Sequence, residues 1–252
     1  AGLLMGLLIP FALIYLFELF DNKIKSKHDI EKISNTIPII GEVPQLEKGD
    51  NELVKMNDMS PLAESLRILI TNMNFMVGKK KGKVVFVTST VKGEGKTFVS
   101  VNLGLTIASP NKKTIIIGAD IRNPQLQRYN EERKGLKGLT EFLYEDSLDY
   151  KTLVHKSIYN QYLDVMYSGS IPPNPTDLLS NGKFENLIQE LSQHYDYIIL
   201  DTAPLMLVTD SFLIAETADI TLYVVRSRYT EKSLIDFAKK NHESKKIKNV
   251  GL

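Results

Sequence analysis

The stretch Val84-Val85-Phe86-Val87-Thr88-Ser89-Thr90-Val91-Lys92-Gly93-Glu94-Gly95-Lys96-Thr97 constrains this chain more than any other. An apolar, β-branched run ends in small polar residues, two glycines bracket Glu94, and Lys96-Thr97 open a helical pattern that runs to about Ser109. Strand, glycine loop and helix in that order are what a phosphate-binding loop requires. Glycines let the backbone approach a polyphosphate, and the N–H groups and positive dipole end of a helix N-terminus attract its charge. Gly93, Glu94, Gly95, Lys96, Thr97 and Phe98 are therefore expected to form the nucleotide cradle, with Lys96 on the β- and γ-phosphates and the Thr97 hydroxyl on Mg²⁺. The first glycine of the G-x-x-x-x-G-K-[ST] pattern is Thr90 here, so the flanking strand and helix carry the reading. The competing explanation is an ordinary glycine-rich turn with a surface lysine.

Around this loop the chain alternates strand-like and helix-like runs. Ser60-Pro61 is a helix start, and Leu62, Leu66, Leu69, Ile70 and Met73 recur at helical spacing to about Phe75. Strands are expected at Thr114–Asp120, with Ile115–Ile117 as its apolar centre, Tyr162–Tyr167, Tyr195–Asp201, Asp219–Arg226 and from Ile247. Helices are expected at Gly138–Tyr144, Thr176–Ser180, Lys183–His194, Asp210–Thr217 and Glu231–Lys240. Such alternation specifies an α/β fold with a doubly wound, mostly parallel sheet and right-handed crossovers. Lys79, Lys80, Lys81 and Lys83 before the first strand read as a solvated turn rather than an anionic-lipid patch.

The N-terminal end is different in kind. Ala1 to Phe17 carries no charge and is almost wholly apolar, which just reaches the length of a membrane-spanning helix. A basic leader and a small-residue cleavage site are lacking, so a signal peptide is disfavoured. Lys23, Lys25 and Lys27 follow, and the positive-inside rule places what comes next in the cytoplasm. The expected organisation is a transmembrane helix at 1–21, a juxtamembrane linker at 22–59 and a P-loop domain at 60–252, taken as part of a longer protein. Within the linker, Ile37 to Pro44 is apolar and proline-punctuated, suited to docking as an extended segment on the domain edge.

Composition narrows the chemistry. The 252 residues carry a net charge of +1, which argues against a dedicated nucleic-acid binder. Without cysteine there are no disulfides, thiolate zinc sites or iron–sulfur clusters, and four scattered histidines disfavour a His-rich metal site.

Two acidic positions complete the loop. Asp201 closes the apolar run Tyr195–Asp201 and is followed by Thr202-Ala203-Pro204, where a Mg²⁺-holding Walker B aspartate belongs. Asp120 follows the apolar centre Ile115–Ile117 and supplies a second carboxylate near the metal, with Arg122 a planar cation near phosphate.

Together these motifs resemble the bacterial tyrosine kinases of polysaccharide export. Gly169-Ser170-Ile171-Pro172-Pro173-Asn174-Pro175-Thr176-Asp177-Leu178-Leu179-Ser180 is similar to that family's G-x-x-P-P-N-P-x-E-L-L-x-S, and the resemblance covers nearly the whole chain. It implies a P-loop NTPase fold of the MinD/ParA type, ATP and Mg²⁺ as cofactors, and transfer of the γ-phosphoryl group to tyrosines of a C-terminal cluster expected beyond Leu252. Lys96, Asp120, Arg122 and Asp201 then carry catalysis, Thr97, Asp120 and Asp201 the metal, and Arg226 joins the nucleotide site by family analogy. It further implies homo-oligomers, a bacterial inner-membrane location with the kinase domain cytoplasmic, control of exopolysaccharide or capsule chain length, and partners in the export machinery, with no nucleic acid. Of the scattered tyrosines within the chain, none is singled out as acceptor.

Three positions depart from the family. Its Walker A′ sequence D-x-D-x-R is Gly118-Ala119-Asp120-Ile121-Arg122, so a base role must pass to Asp120 or be lost. Its helical E-x-x-R-x-x-R is Glu64 to Ile70, with Ile70 in place of the last arginine, which weakens a subunit ring built by charge pairing. Lys92 stands where a proline precedes the first loop glycine. An ATP-binding scaffold that transfers nothing is the alternative that Gly118 raises. A positioning ATPase of the MinD/ParA type is disfavoured because its signature lysine falls at Val91.

Overall fold

The computed structural model describes residues 10–16 and 20–252. Residues 10–16 are helical and exposed, and the expected span at 1–21 otherwise lies largely outside the described residues. Among the described residues no helix is long and apolar enough to cross a membrane.

From residue 20 onward the helices are α1 Lys27–Ile33, α2 Pro61–Val77, α3 Lys96–Ile107, α4 Leu139–Tyr144, α5 Pro175–Leu179, α6 Lys183–His194, α7 Asp210–Glu216 and α8 Ser233–Glu243. The strands are β1 Lys83–Ser89, β2 Thr114–Gly118, β3 Val154–Lys156, β4 Leu163–Met166, β5 Tyr197–Asp201, β6 Ile220–Val224 and β7 Val250–Gly251. These strands form one sheet in the order β3-β4-β2-β5-β1-β6-β7. All pairings are parallel except β3 with β4. β1, β2 and β5 are buried along their whole length, as parallel strands covered on both faces must be.

One apolar layer joins Phe86, Ile117, Leu139, Phe184, Leu187 and Ile198, and the other joins Leu66, Met73, Val85, Leu103, Ile116 and Ile199. The alternation of neighbouring β1 and β2 residues between the two layers is the strand period itself. α2 starts as its sequence requires, with the Ser60 hydroxyl accepting from the Ala63 N–H and Pro61 in the first turn. Its Arg67 pairs with Glu64 at 2.8 Å and reaches the Asp58 carbonyl, while Ile68 and Phe75 lie exposed on the outer face.

Two elements went unanticipated. α1 has seven residues, and β3 has three residues paired antiparallel at the sheet edge. Lys83 also differs from expectation: it belongs to β1, is buried, and donates to Asn74 Oδ1 at 2.7 Å rather than standing in a solvated turn. Lys80 pairs with Asp219.

The segment 22–59 packs on the domain. Ile24, Ile30, Ile37, Ile40 and Val54 are buried. The Ile40 N–H donates to the Leu252 carbonyl at 2.8 Å and Leu252 N–H to the Pro38 carbonyl at 3.0 Å, extending the β7 edge. Asn102 of α3 holds Val54 N–H and the Glu52 carbonyl, both at 2.9 Å. The physical reason is that each isoleucine covers apolar surface the domain would otherwise expose. Before it, residues 22–25 run against loop 226–232: Ile24 N–H donates to the Thr230 carbonyl at 2.9 Å and Lys232 N–H to the Asn22 carbonyl at 2.8 Å.

Candidate active site

The parallel register brings the C-terminal ends of β1, β2 and β5 together, with Val87 opposite Asp201 and Gly118 opposite Asp201. Loops that leave one sheet end in this way line a crevice, the usual ligand position in an open α/β fold.

The loop after β1 is shaped by two glycines. Gly93 and Gly95 have φ of +90° and +102°, which side-chain-bearing residues rarely adopt. A Cβ at Gly93 would also sit 2.8 Å from the Tyr229 hydroxyl, whereas one at Gly95 meets nothing within 4 Å. Loop 226–230 clasps the outside. The Arg226 guanidinium donates to the Gly93 carbonyl at 3.0 Å and the Tyr229 hydroxyl to the Lys92 carbonyl at 2.9 Å. Arg226 also lies 5.4 Å from the Tyr229 ring centroid. Buried Glu94 ties the loop internally, accepting from Val91 N–H at 2.8 Å and from the Thr230 hydroxyl. Glu94 is thus occupied within the loop, and Arg226 touches loop backbone.

Lys96 is buried at the start of α3, its ammonium 3.2 Å from Ser89 Oγ. Burial lowers its pKa, opposed by the charges of Asp201, Asp120 and Glu94. Phe98 is half-buried against the apolar layer beneath α3, which leaves its main chain as the part that can face a ligand.

Asp201 is the most buried charge in the site, 2% exposed, and accepts from Ser100 Oγ at 3.2 Å. Its carboxyl is pushed up to about 7, chiefly by burial, with the Thr97 hydroxyl opposing and the Asp120 charge adding. Asp120 is also buried, and burial raises its pKa as well. Its Oδ1 accepts from Asn123 N–H at 2.9 Å. The Ala119 and Asp120 N–H groups donate to the Asp201 carbonyl at 2.8 and 2.9 Å, locking the two acid-bearing ends together.

This donor set fits Mg²⁺. Among the described residues there is no group of three or more His, Cys, Asp or Glu that could cage a metal. Mg²⁺ uses one or two carboxylates together with phosphate and water oxygens, and Thr97, Asp120 and Asp201 supply two carboxylates and a hydroxyl.

Arg122, expected near phosphate, has its own partners in the fold. Its Nε donates to Asp210 Oδ2 at 2.6 Å and its Nη2 to Thr176 Oγ1 at 3.3 Å, while the Thr176 hydroxyl donates to Asp210 Oδ1. Asp210 raises the Arg122 pKa in return. Burial pushes the Asp210 carboxyl up, but the hydrogen bonds from Arg122 and Thr176 outweigh it and hold the group below its ordinary value.

The proline turn is anchored from beneath by buried Glu141, which accepts from Gly138 N–H at 2.7 Å and from Ser170 N–H and hydroxyl at 3.1 and 2.5 Å. At Gly118 a Cβ would lie 2.5 Å from Ser168 Oγ. That hydroxyl and the neighbouring Thr140 hydroxyl are buried with no hydrogen-bond partner among the described residues.

Ser89, Ser100, Thr176, Asp210, Tyr229 and Thr230 were not among the expected site residues. Ser100 had a signal, one helical turn after Lys96 on the same face of α3. Ser89 ends β1 seven positions before Lys96, while Thr176, Asp210, Tyr229 and Thr230 act across 34 to 137 positions of sequence, for which a single chain offers no local signal.

A family model described as an AAA domain matches residues 82–249. The chain is 36% identical over 170 residues to tyrosine-protein kinase CpsD of Streptococcus pneumoniae, covering 68% of this chain and 74% of that protein. It superposes on the kinase domain of Escherichia coli tyrosine kinase ETK with a TM-score of 0.81 at 24% identity, covering 91% and 93% of the two chains. On the cell division ATPase MinD of Pyrococcus furiosus the TM-score is 0.56 at 16% identity, covering 67% and 69%, so that likeness is one of fold.

Proposed function

The chain belongs to the bacterial tyrosine kinases, and from that premise we propose that it binds ATP with Mg²⁺ on loop 90–97 and transfers the γ-phosphoryl group to tyrosine. The observation that carries this reading is the cluster of buried Lys96, Asp120 and Asp201 at the adjoining ends of β1, β2 and β5. Loop N–H groups and the Lys96 ammonium bind and orient the β- and γ-phosphates. Thr97, Asp201 and Asp120 would hold Mg²⁺, which would supply neutralisation of charge on those phosphates. The acceptor oxygen forms its bond to phosphorus as the bond to the ADP oxygen breaks, and the tyrosine proton passes to Asp120. Asn123 engages Asp120 Oδ1, which leaves Oδ2 for that proton. Asp120 thereby takes the base role for which Gly118 has no side chain. Arg226 stabilises the loop rather than the phosphate.

The wider setting extends the same reading: tyrosines of a C-terminal cluster as acceptors, assembly with further copies of the chain, an inner-membrane location with this domain cytoplasmic, and work alongside capsule or exopolysaccharide export. The test is phosphotyrosine formed by the full-length protein with ATP–Mg²⁺, compared with Lys96→Met. Abolition by the variant is expected. Equal phosphorylation of the two would remove the loop from the mechanism.

A further inference from the structure

The Arg122–Asp210–Thr176 cluster is not needed to hold ATP on loop 90–97. It joins three elements that are remote in sequence: the loop after β2 carrying Asp120, the first turn of α5 just after the proline turn, and the start of α7. Asp210 has a side chain 4% exposed, and both its oxygens are engaged, Oδ2 by Arg122 and Oδ1 by Thr176. Arg122 is 40% exposed in its side chain, yet its Nε is committed to Asp210 at 2.6 Å. A planar guanidinium held at two nitrogens cannot rotate freely, and it sits two residues from Asp120 on the same short loop. Between Asp120 and Asp210 lies a small cleft walled by Ala119, Ile121, Leu179 and Ile214. The cluster therefore closes one side of the space beside Asp120 with charged hydrogen bonds, while apolar side chains pack its other walls.

We propose that Asp210 and Thr176 are positioning residues for phosphoryl transfer: through Arg122 they fix the loop that aims Asp120 at the acceptor hydroxyl. This rests on the kinase reading above. Neither residue touches nucleotide or acceptor in this scheme, so their loss should slow transfer and spare ATP binding. Reacting groups need placement to a fraction of an ångström, and a displacement of about 1 Å costs on the order of 100-fold in rate. Thr176 matters for its hydroxyl, which both accepts from Arg122 and donates to Asp210. A threonine-sized apolar residue would fill the space and break both links.

The experiment is steady-state transfer to a synthetic glutamate–tyrosine copolymer by the full-length protein and by Asp210→Asn, Thr176→Val and Arg122→Gln. Thermal stability and the ATP KM are measured on the same preparations. Each variant is expected to lose 10- to 100-fold in kcat with its ATP KM within about twofold of the parent. Asp210→Asn added to Arg122→Gln should cause no further fall, because the two act as one unit. Thr176→Ser should recover most of the rate and Asp210→Glu part of it. Additive losses in the double variant, or a rise in ATP KM matching the fall in kcat, would overturn the proposal. So would rates that track stability alone across the series. If Asp210→Asn does not fold, the same outcomes are read from Thr176→Val and Thr176→Ser. A parent protein that forms no phosphotyrosine overturns the kinase reading and this inference together. An active parent with full rate in Asp210→Asn and Thr176→Val overturns this inference alone.

Discussion

The two sides of the site are built differently. On the nucleotide side, loop 90–97 is set by backbone: two glycines at positive φ, and carbonyls of Lys92 and Gly93 held from outside by Tyr229 and Arg226. On the acceptor side, the loop carrying Asp120 is set by side chains, with Arg122, Asp210 and Thr176 bonding one another across 34 to 88 positions of sequence. A cradle made of main chain tolerates exchange of its neighbours, because many backbone contacts share the work. A wall made of three interlocking side chains depends on each of them. The nucleotide side should thus yield to substitution at its metal-facing groups and little elsewhere, and the acceptor side should yield wherever its packing or hydrogen bonds are touched.

The largest expected effect tests the seam between the two. Asp201→Asn should reduce transfer by about 100- to 1,000-fold, the range for removing one preorganised electrostatic group. Without nucleotide the same variant should be more stable than the parent at pH 8. The Asp201 pKa is raised to about 7 from 3.8, so the folded state keeps this proton where the unfolded state has lost it. Its stabilising contribution is full below about pH 4 and is lost as pH rises to about 7, at up to about 1.4 kcal/mol per pH unit. Unfolding midpoints of parent and variant should therefore converge on acidification. A gap that stays constant with pH would mean that Asp201 is not held protonated by burial.

Next in size, Gly118→Asp should destabilise the domain by about 1–3 kcal/mol through overpacking against Ser168, read as a lowered denaturant midpoint. It should not raise transfer. Combining it with Ser168→Ala should recover part of that stability. If Gly118→Asp alone is as stable as the parent, the acceptor wall is more yielding than its packing implies.

The smallest effect belongs to the nucleotide side. Tyr229→Phe removes one half-exposed hydrogen bond, worth about 0.5–1.5 kcal/mol, while the Arg226 contact and the Glu94 ties remain. A rise in ATP KM of about tenfold or less is expected from titration of ATP at fixed acceptor. A larger rise would mean that the clasp, and not the glycine backbone, sets the loop.

What the sequence disclosed follows the same division. Loop 90–97, α3 and the buried runs of β1, β2 and β5 were legible because their information is local: apolar β-branched stretches, a glycine pair, a periodic helix. Asp201 and Asp120 were legible because they end such strands. α1 was missed because seven residues leave little period to read, although Ser26 and Asp29 spell a capping box. β3 was missed because three edge residues make no pattern. Asp210 merely opens an expected helix in the sequence, and nothing near it announces that its partner is Arg122, 88 positions away. The Arg122 end of that link was hidden for the same reason: an exposed arginine near two buried carboxylates suggests phosphate, and its hold on Asp210 shows only in the fold.

The fit of Gly118 against Ser168 decides what that position can accept. With a Cβ at 118 due to land 2.5 Å from Ser168 Oγ, a carboxylate cannot enter that position in one substitution without a penalty. The Ser168 hydroxyl, without a hydrogen-bond partner among the described residues, can turn aside, but the Ser168 main-chain nitrogen stays 3.0 Å from that Cβ. A carboxylate at 118 therefore asks the main chain at Ser168, and not one side chain alone, to give way.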